Sequence, residues 1–224
     1  MANKTEILIY GMSDFAKLIR VYLDRVENQK VVAYVADQAF IKQNKTFDEL
    51  PLISFEQVDN LYPAKSYSML VAVGYSNMRA RKLMFNKAKN KNYNFVNYIS
   101  PSAIIDESVK IGENNIILQD TVIEPNVKVS DNNIIWSSVN ISHDVEIGSH
   151  SFFASQSLIG GYTKVGDGCF FGFNSTCVQN IKIGDESLIG AKSLVLKNTQ
   201  PFSKNIGSPS KNIGFHEKEG ICIK

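Results

Sequence analysis

The sequence predicts a small parallel α/β sheet followed by a hexapeptide parallel β-helix, and three observations carry that expectation. From Ile105 to Val195 every sixth residue is apolar, sixteen positions without an insertion. Residues 1–100 instead alternate short apolar runs with stretches of helical spacing. The change between the two patterns falls at Pro101.

In the first half, "EILIY" reads as a strand that ends at Gly11. Ser13 can then cap a helix in which Phe15, Leu18, Ile19, Tyr22, Leu23 and Val26 recur at spacings of three and four. "VVAYV" is a second strand, "MLVAV" a third ending at Gly74, residues 78–91 a basic helix, and "NFVNYI" closes the half. Strand–helix–strand units imply a parallel sheet covered by helices. Ligands bind such sheets at the carboxyl ends of the strands, which places Gly11–Phe15, Ala36–Asp37 and Gly74–Asn77 on one rim. "GMSDFA" lacks the second and third glycines of a dinucleotide fingerprint, so a tight turn explains Gly11 equally well.

In the second half, neither an α-helix nor simple alternation selects one position in six. A coil of three short strands does, with each hexapeptide forming one face and small residues such as Thr121, Ser151, Ser157 and Thr163 packing near the corners. The run makes roughly five coils of about 18 residues, stacked about 4.8 Å apart. With Ile141 pointing inward, His143 stands outward near a corner. His150, three positions after Ile147, is expected outward as well. Asp144 is placed to orient an imidazole and raise its basicity. Cys169 and Cys177 fall at inward positions, where packing is the better reading. Trp136, Tyr162 and Phe170 read as outward apolar residues suited to subunit packing.

The 224 residues are 44% hydrophobic and 21% charged, with a net charge of +2. That balance gives no electrostatic case for nucleic acid. No apolar run reaches transmembrane length, and "MANKTEILIYGM" is too short in apolar residues for a signal peptide. Three cysteines without CxxC spacing favour reduced thiols and a cytoplasmic location.

"IYGMSDFAK", "VAVGYSNMRARKL", the hexapeptide array, "SHDVEIG" and the closing "IGSPSK" together resemble the bacterial nucleotide-sugar N-acetyltransferases of the bacillosamine and sialic-acid-pathway type. The resemblance spans nearly the whole chain. It implies a Rossmann-like nucleotide-sugar domain over residues 1–100, a left-handed β-helix acyltransferase domain over 101–198, a tail over 199–224, and a homotrimer. The implied activity is transfer of acetyl from acetyl-CoA, a co-substrate, to an amino group of a nucleotide-linked deoxysugar in surface-glycan synthesis. No permanent cofactor or metal is implied.

By the same resemblance His143 is the base and Asp144 its acidic neighbour. Ser13, Asp14, Phe15, Asp37 and Gly74 match the segments that hold the nucleotide sugar. Phe152, Gly161, Phe173, Ala191 and Lys192 fall where acetyl-CoA is met, and a corner N–H at Gly160–Gly161 is the candidate for holding the oxyanion. Three positions depart from the family. Phe152 stands where a second histidine is usual, "SDFA" replaces a "GGHG" turn, and the paired acids after the second strand are reduced to Ala36–Asp37.

Four other readings compete. O-acetylation would use the same base. Acyl-carrier-protein-dependent sugar acyltransferases share the two-part design but carry a longer helical C-terminal extension than "NIGFHEKEGICIK". A zinc β-helix enzyme needs three converging histidines, and His216 lies beyond the coils. The last is a non-catalytic scaffold.

Overall fold

The computed structural model describes residues 4–42 and 45–223. Contacts divide the chain into two units, residues 1–74 with 83–96, and residues 75–82 with 97–224.

In the first unit, β1 (Thr5–Tyr10) leads to α1 (Asp14–Leu23) and β2 (Gln29–Ala36). A hairpin of β3 (Thr46–Phe47) and β4 (Leu50–Ser54) follows, then α2 (Val58–Leu61), β5 (Ser68–Val71), α3 (Met78–Asn90), whose residues 78–82 belong to the second unit, and β6 (Asn94–Phe95). The sheet order is β3-β4-β2-β1-β5-β6, parallel except for β3 against β4. Tyr10 pairs with Val35 on one side and Val71 on the other, so the carboxyl ends of the three central strands share an edge. Gly11 is explained by packing at that edge. A Cβ there would lie 2.4 Å from the Ala72 carbonyl oxygen.

Two details differ from the sequence expectation. The strand expected to run to Gly74 ends at Val71. "NFVNYI" divides, with Asn94–Phe95 pairing to β5 and Tyr98–Ile99 pairing to Ile116–Ile117 of the coil. The hairpin and the β4 strand were not anticipated, because Pro51 interrupts a short apolar run.

The second unit is a parallel β-helix. Two-residue strands pair at a constant offset of one coil, for example Ile117 with Ile135 and Ile141 with Ile159. They form three sheets, and the first is extended by strands Ser203–Ile206 and Lys211–Phe215. Of the sixteen period-six residues, Ile105 and Ile111 near the open end are partly buried and the rest fill the interior. From residue 114 to 192 every sixth residue has a positive φ. Each marks a corner, and asparagine and aspartate recur there because they tolerate the left-handed conformation.

The three outer faces differ chemically. On the first, Ile116, Ile134, Phe152 and Phe170 are buried. Tyr75 lies against it, with ring centroids 4.5 Å from Phe152 and 5.9 Å from Phe170. On the third face Glu146 bridges Lys128 and Lys164 at 3.0 Å each. The second face presents Ile104, Val122, Asn140, Leu158, Thr176 and Leu194. It is uncharged, and Ile104 is 67% exposed.

Candidate active site

His143 and Asp144 lie in the corner between strands Asn140–Ile141 and Glu146–Ile147, the boundary of the second and third faces. Ile141 and Val145 are buried and pin the corner from inside. The imidazole is exposed, as the period predicts. Its Nδ1 lies 3.0 Å from Asp144 Oδ2. A carboxylate can only accept, so Nδ1 carries the proton and Nε2 presents its lone pair outward.

The corner backbone is tied down on both sides. The His143 N–H donates to Glu124 Oε2 at 2.8 Å. Asp144 N–H donates to the Pro125 carbonyl at 3.0 Å, and Tyr162 N–H to the His143 carbonyl at 3.1 Å. Gly161 sits one coil along. A Cβ on it would lie 2.9 Å from His143 Cε1 and 3.0 Å from Nε2, so only glycine leaves the ring its place. Gly161→Ala is therefore expected to displace the imidazole and lower turnover by about 10²-fold, with little change in melting temperature. Steady-state kinetics and thermal unfolding of the variant check this.

The oxyanion expectation at Gly160–Gly161 needs one correction. Gly160 N–H already donates to the Cys177 carbonyl at 3.0 Å. Among the described residues, no acceptor is paired with Gly161 N–H.

His150 is also corrected. It stands one corner later at the positive-φ position that Asp144, not His143, occupies in its own corner, and it is only 7% exposed. Arg81, from the first turn of α3 and within the same unit, covers that corner by donating to the His150 carbonyl. The His150 Nδ1 contacts Asn132 Nδ2 at 2.9 Å, and Asn132 Oδ1 accepts from Asn114 at 2.8 Å. Asn132 is then the donor, and His150 holds its proton on Nε2, the opposite tautomer to His143. Burial, then the charges of Arg81 and Lys82, push its pKa down to about 4, against Asp167 and Asp131, which act upward.

The native state thus holds His150 neutral while the unfolded chain binds a proton below about 6.5. Stability is present above that pH and is lost as pH falls toward 4, by at most about 3 kcal/mol. His150→Asn, which suits a left-handed corner, should flatten the pH dependence of the denaturation midpoint between pH 6.5 and 4.

The other expected residues divide by unit. In the first, Ser13 Oγ caps α1 by accepting the Ala16 N–H at 3.3 Å. Asp14 is exposed and pairs with Lys17 at 3.2 Å. Phe15 is partly buried. Asp37, on the strand-end edge, accepts from the Tyr10 hydroxyl and from Lys87 at 2.7 Å. A Cβ on Gly74 would meet nothing within 4 Å, so the space beside it is open.

In the second unit, Phe173, Ala191 and Lys192 are exposed at one corner, with Lys192 N–H donating to the Phe173 carbonyl at 2.8 Å. Phe152 is not with them. Its ring is buried against Tyr75 and stacked on Phe170, where an exposed position beside Phe173 was expected. Phe170, expected outward, is buried in the same cluster. Cys169 and Cys177 are interior, and burial pushes both thiols up to about 12, which leaves them inert as nucleophiles. His216 Nε2 bonds the Glu186 carbonyl at 2.7 Å. Among the described residues no three His, Cys, Asp or Glu side chains converge as a metal site, and no helix is long and apolar enough to cross a membrane.

No protein-family model matches the chain, and no curated protein does. Solved structures do. PerB from Caulobacter crescentus, in complex with CoA and GDP-perosamine, superposes with a TM-score of 0.82 at 25% identity, covering 93% of this chain and 97% of that one. A GDP-perosamine N-acetyltransferase variant from the same organism matches at 0.66 and 20% identity, over 93% and 97%. The acetyltransferase domain of PglB from Neisseria gonorrhoeae, in complex with acetyl coenzyme A, matches at 0.83 and 17% identity, over 94% and 100%. The fold is that of bacterial nucleotide-sugar N-acetyltransferases.

Sequence reasoning missed Glu124, Arg81 and the contact of Tyr162 with His143. Glu124 follows the inward Ile123 just as Ser142 follows Ile141, so coil stacking could have placed it beside His143.

Proposed function

We propose that the chain transfers the acetyl group of acetyl-CoA to the amino group of a nucleotide-linked amino-deoxysugar in bacterial glycan synthesis. The observation that carries this reading is the His143–Asp144 pair on an open corner, in a fold shared at 25% identity with a protein solved with CoA and GDP-perosamine. The sugar amine attacks the thioester carbonyl, and His143 Nε2 takes the proton the amine loses as the C–N bond forms. Gly161 N–H donates to the oxyanion of the tetrahedral intermediate. The intermediate collapses by breaking the C–S bond, and the imidazolium returns its proton to the departing CoA sulfur. Asp144 holds the imidazole in the productive tautomer and stabilises its charged form.

In this reading residues 1–100 are a Rossmann-like domain whose strand-end edge, with Ser13, Asp14, Phe15, Asp37 and Gly74, receives the nucleotide sugar. Residues 101–198 form a left-handed β-helix, with Phe173, Ala191 and Lys192 meeting CoA and 199–224 as the tail. The uncharged second face, adjoining the His143 corner, is the surface by which a cytoplasmic homotrimer forms. Each catalytic corner then borders a groove against a neighbouring subunit.

Purified protein given acetyl-CoA and a panel of amino- and hydroxy-sugar nucleotides tests the reading. Release of CoA thiol with an N-acetylated product is expected. Acetylation of hydroxyls alone would move the assignment to O-transfer, and no transfer to any acceptor would reject it.

A further inference from the structure

The corner that carries His143 is completed by a residue its backbone does not favour. Tyr162 has a φ of 60°, in the region that asparagine and aspartate tolerate and bulky residues avoid. The other positive-φ residues stacked in that column are Asn126, Asp144 and Asn180. Tyr162 is 57% exposed, so burial of its ring within the chain does not compensate the strain. Its ring instead meets the imidazole of His143 edge to face, with centroids 5.1 Å apart and planes at 84°. A strained residue with little packing return within its own chain, set against a candidate base, is the pattern of a functional constraint.

We propose that Tyr162 is a positioning residue that fixes the plane of the His143 imidazole, so that Nε2 faces the acceptor amine. The inference rests on the reading of His143 as the base. Asp144 sets the tautomer through one hydrogen bond at Nδ1, which leaves the ring free to swing about that bond. Gly161 leaves room beneath Cε1 and Nε2 but does not grip them. The edge-to-face contact removes the remaining freedom, a geometry that aromatic pairs favour. Small misplacements of a base forfeit large factors in rate, so the contact acts on turnover rather than on donor binding.

Two variants and two readouts test this. Tyr162→Asn restores the residue type of the column, and it is expected to melt about 2–4 °C higher as the strain is released. It should turn over about tenfold to a hundredfold more slowly, with an unchanged KM for acetyl-CoA. Tyr162→Phe keeps the ring and should keep wild-type kcat. Independently of catalysis, 15N NMR of the His143 side chain should show one neutral tautomer, protonated at Nδ1, in the wild type and in Tyr162→Phe. The Tyr162→Asn protein should keep that tautomer, which Asp144 sets, but its His143 Cε1–H and Cδ2–H resonances should shift and broaden as the ring leaves its fixed plane. If the wild type transfers no acetyl group the proposed function fails, while the spectra still decide the positioning role. Wild-type kcat in an active Tyr162→Asn enzyme, an unchanged imidazole spectrum, or a lower melting temperature in that variant would each overturn the inference.

Discussion

His143→Asn is expected to lower kcat by about 10²–10⁴-fold while leaving the melting temperature and the KM for acetyl-CoA near their wild-type values. That range is what a positioned general base contributes, and it corresponds to about 3–5 kcal/mol of barrier. The fold should be indifferent, because the side chain is exposed and its backbone contacts to Glu124 and Tyr162 are independent of the ring. Asparagine retains a hydrogen-bonding group near Asp144 but cannot accept a proton at neutral pH. A loss of activity accompanied by loss of folding would point to a structural role, and full retention would require a different base.

The largest stability effect is expected at Arg81. The guanidinium is fully buried and donates to the carbonyls of Asn132, His150 and Ser151. Its Nε has no partner among the described residues, and burial pulls its pKa down to about 9. Two effects oppose each other in Arg81→Met. The variant removes the cost of burying a cation, but it leaves the Asn132 and His150 carbonyls without the donor that satisfies them. Each orphaned acceptor costs about 1–3 kcal/mol. The orphaned acceptors therefore dominate, and the denaturant midpoint should fall accordingly. Arg81→Lys should be intermediate, because one ammonium lacks the planar fork that reaches several carbonyls at once. A change below about 1 kcal/mol in Arg81→Met would mean that water replaces the guanidinium at these carbonyls.

The coil was legible because its period is a steric requirement. Ile141, Ile159 and Cys177 must fill one narrow interior, so the sequence repeats and the outward direction of His143 follows. His150 shows the limit of that logic. The period gives the direction relative to the coil, but burial came from Arg81, which lies far away in the chain and reads in sequence as one charge of a basic helix. Phe170 lies outside the coil interior as the period predicts but is buried for the same reason, because an outward position is exposed only if nothing packs on it. The Tyr162 contact needed coil stacking and ring geometry together, and neither is written in local spacing. In the first unit, alternating apolar runs disclosed the central strands. The β3–β4 hairpin, being short and interrupted by Pro51, left no such signal.

The most direct test is a crystal structure of the protein with CoA and an amino-sugar nucleotide bound together. The account predicts the acceptor nitrogen within about 3.2 Å of His143 Nε2, with the CoA sulfur on the same side and Gly161 N–H directed at the site of the carbonyl oxygen. An acceptor amine bound away from His143, with the imidazole touching neither ligand, would contradict it.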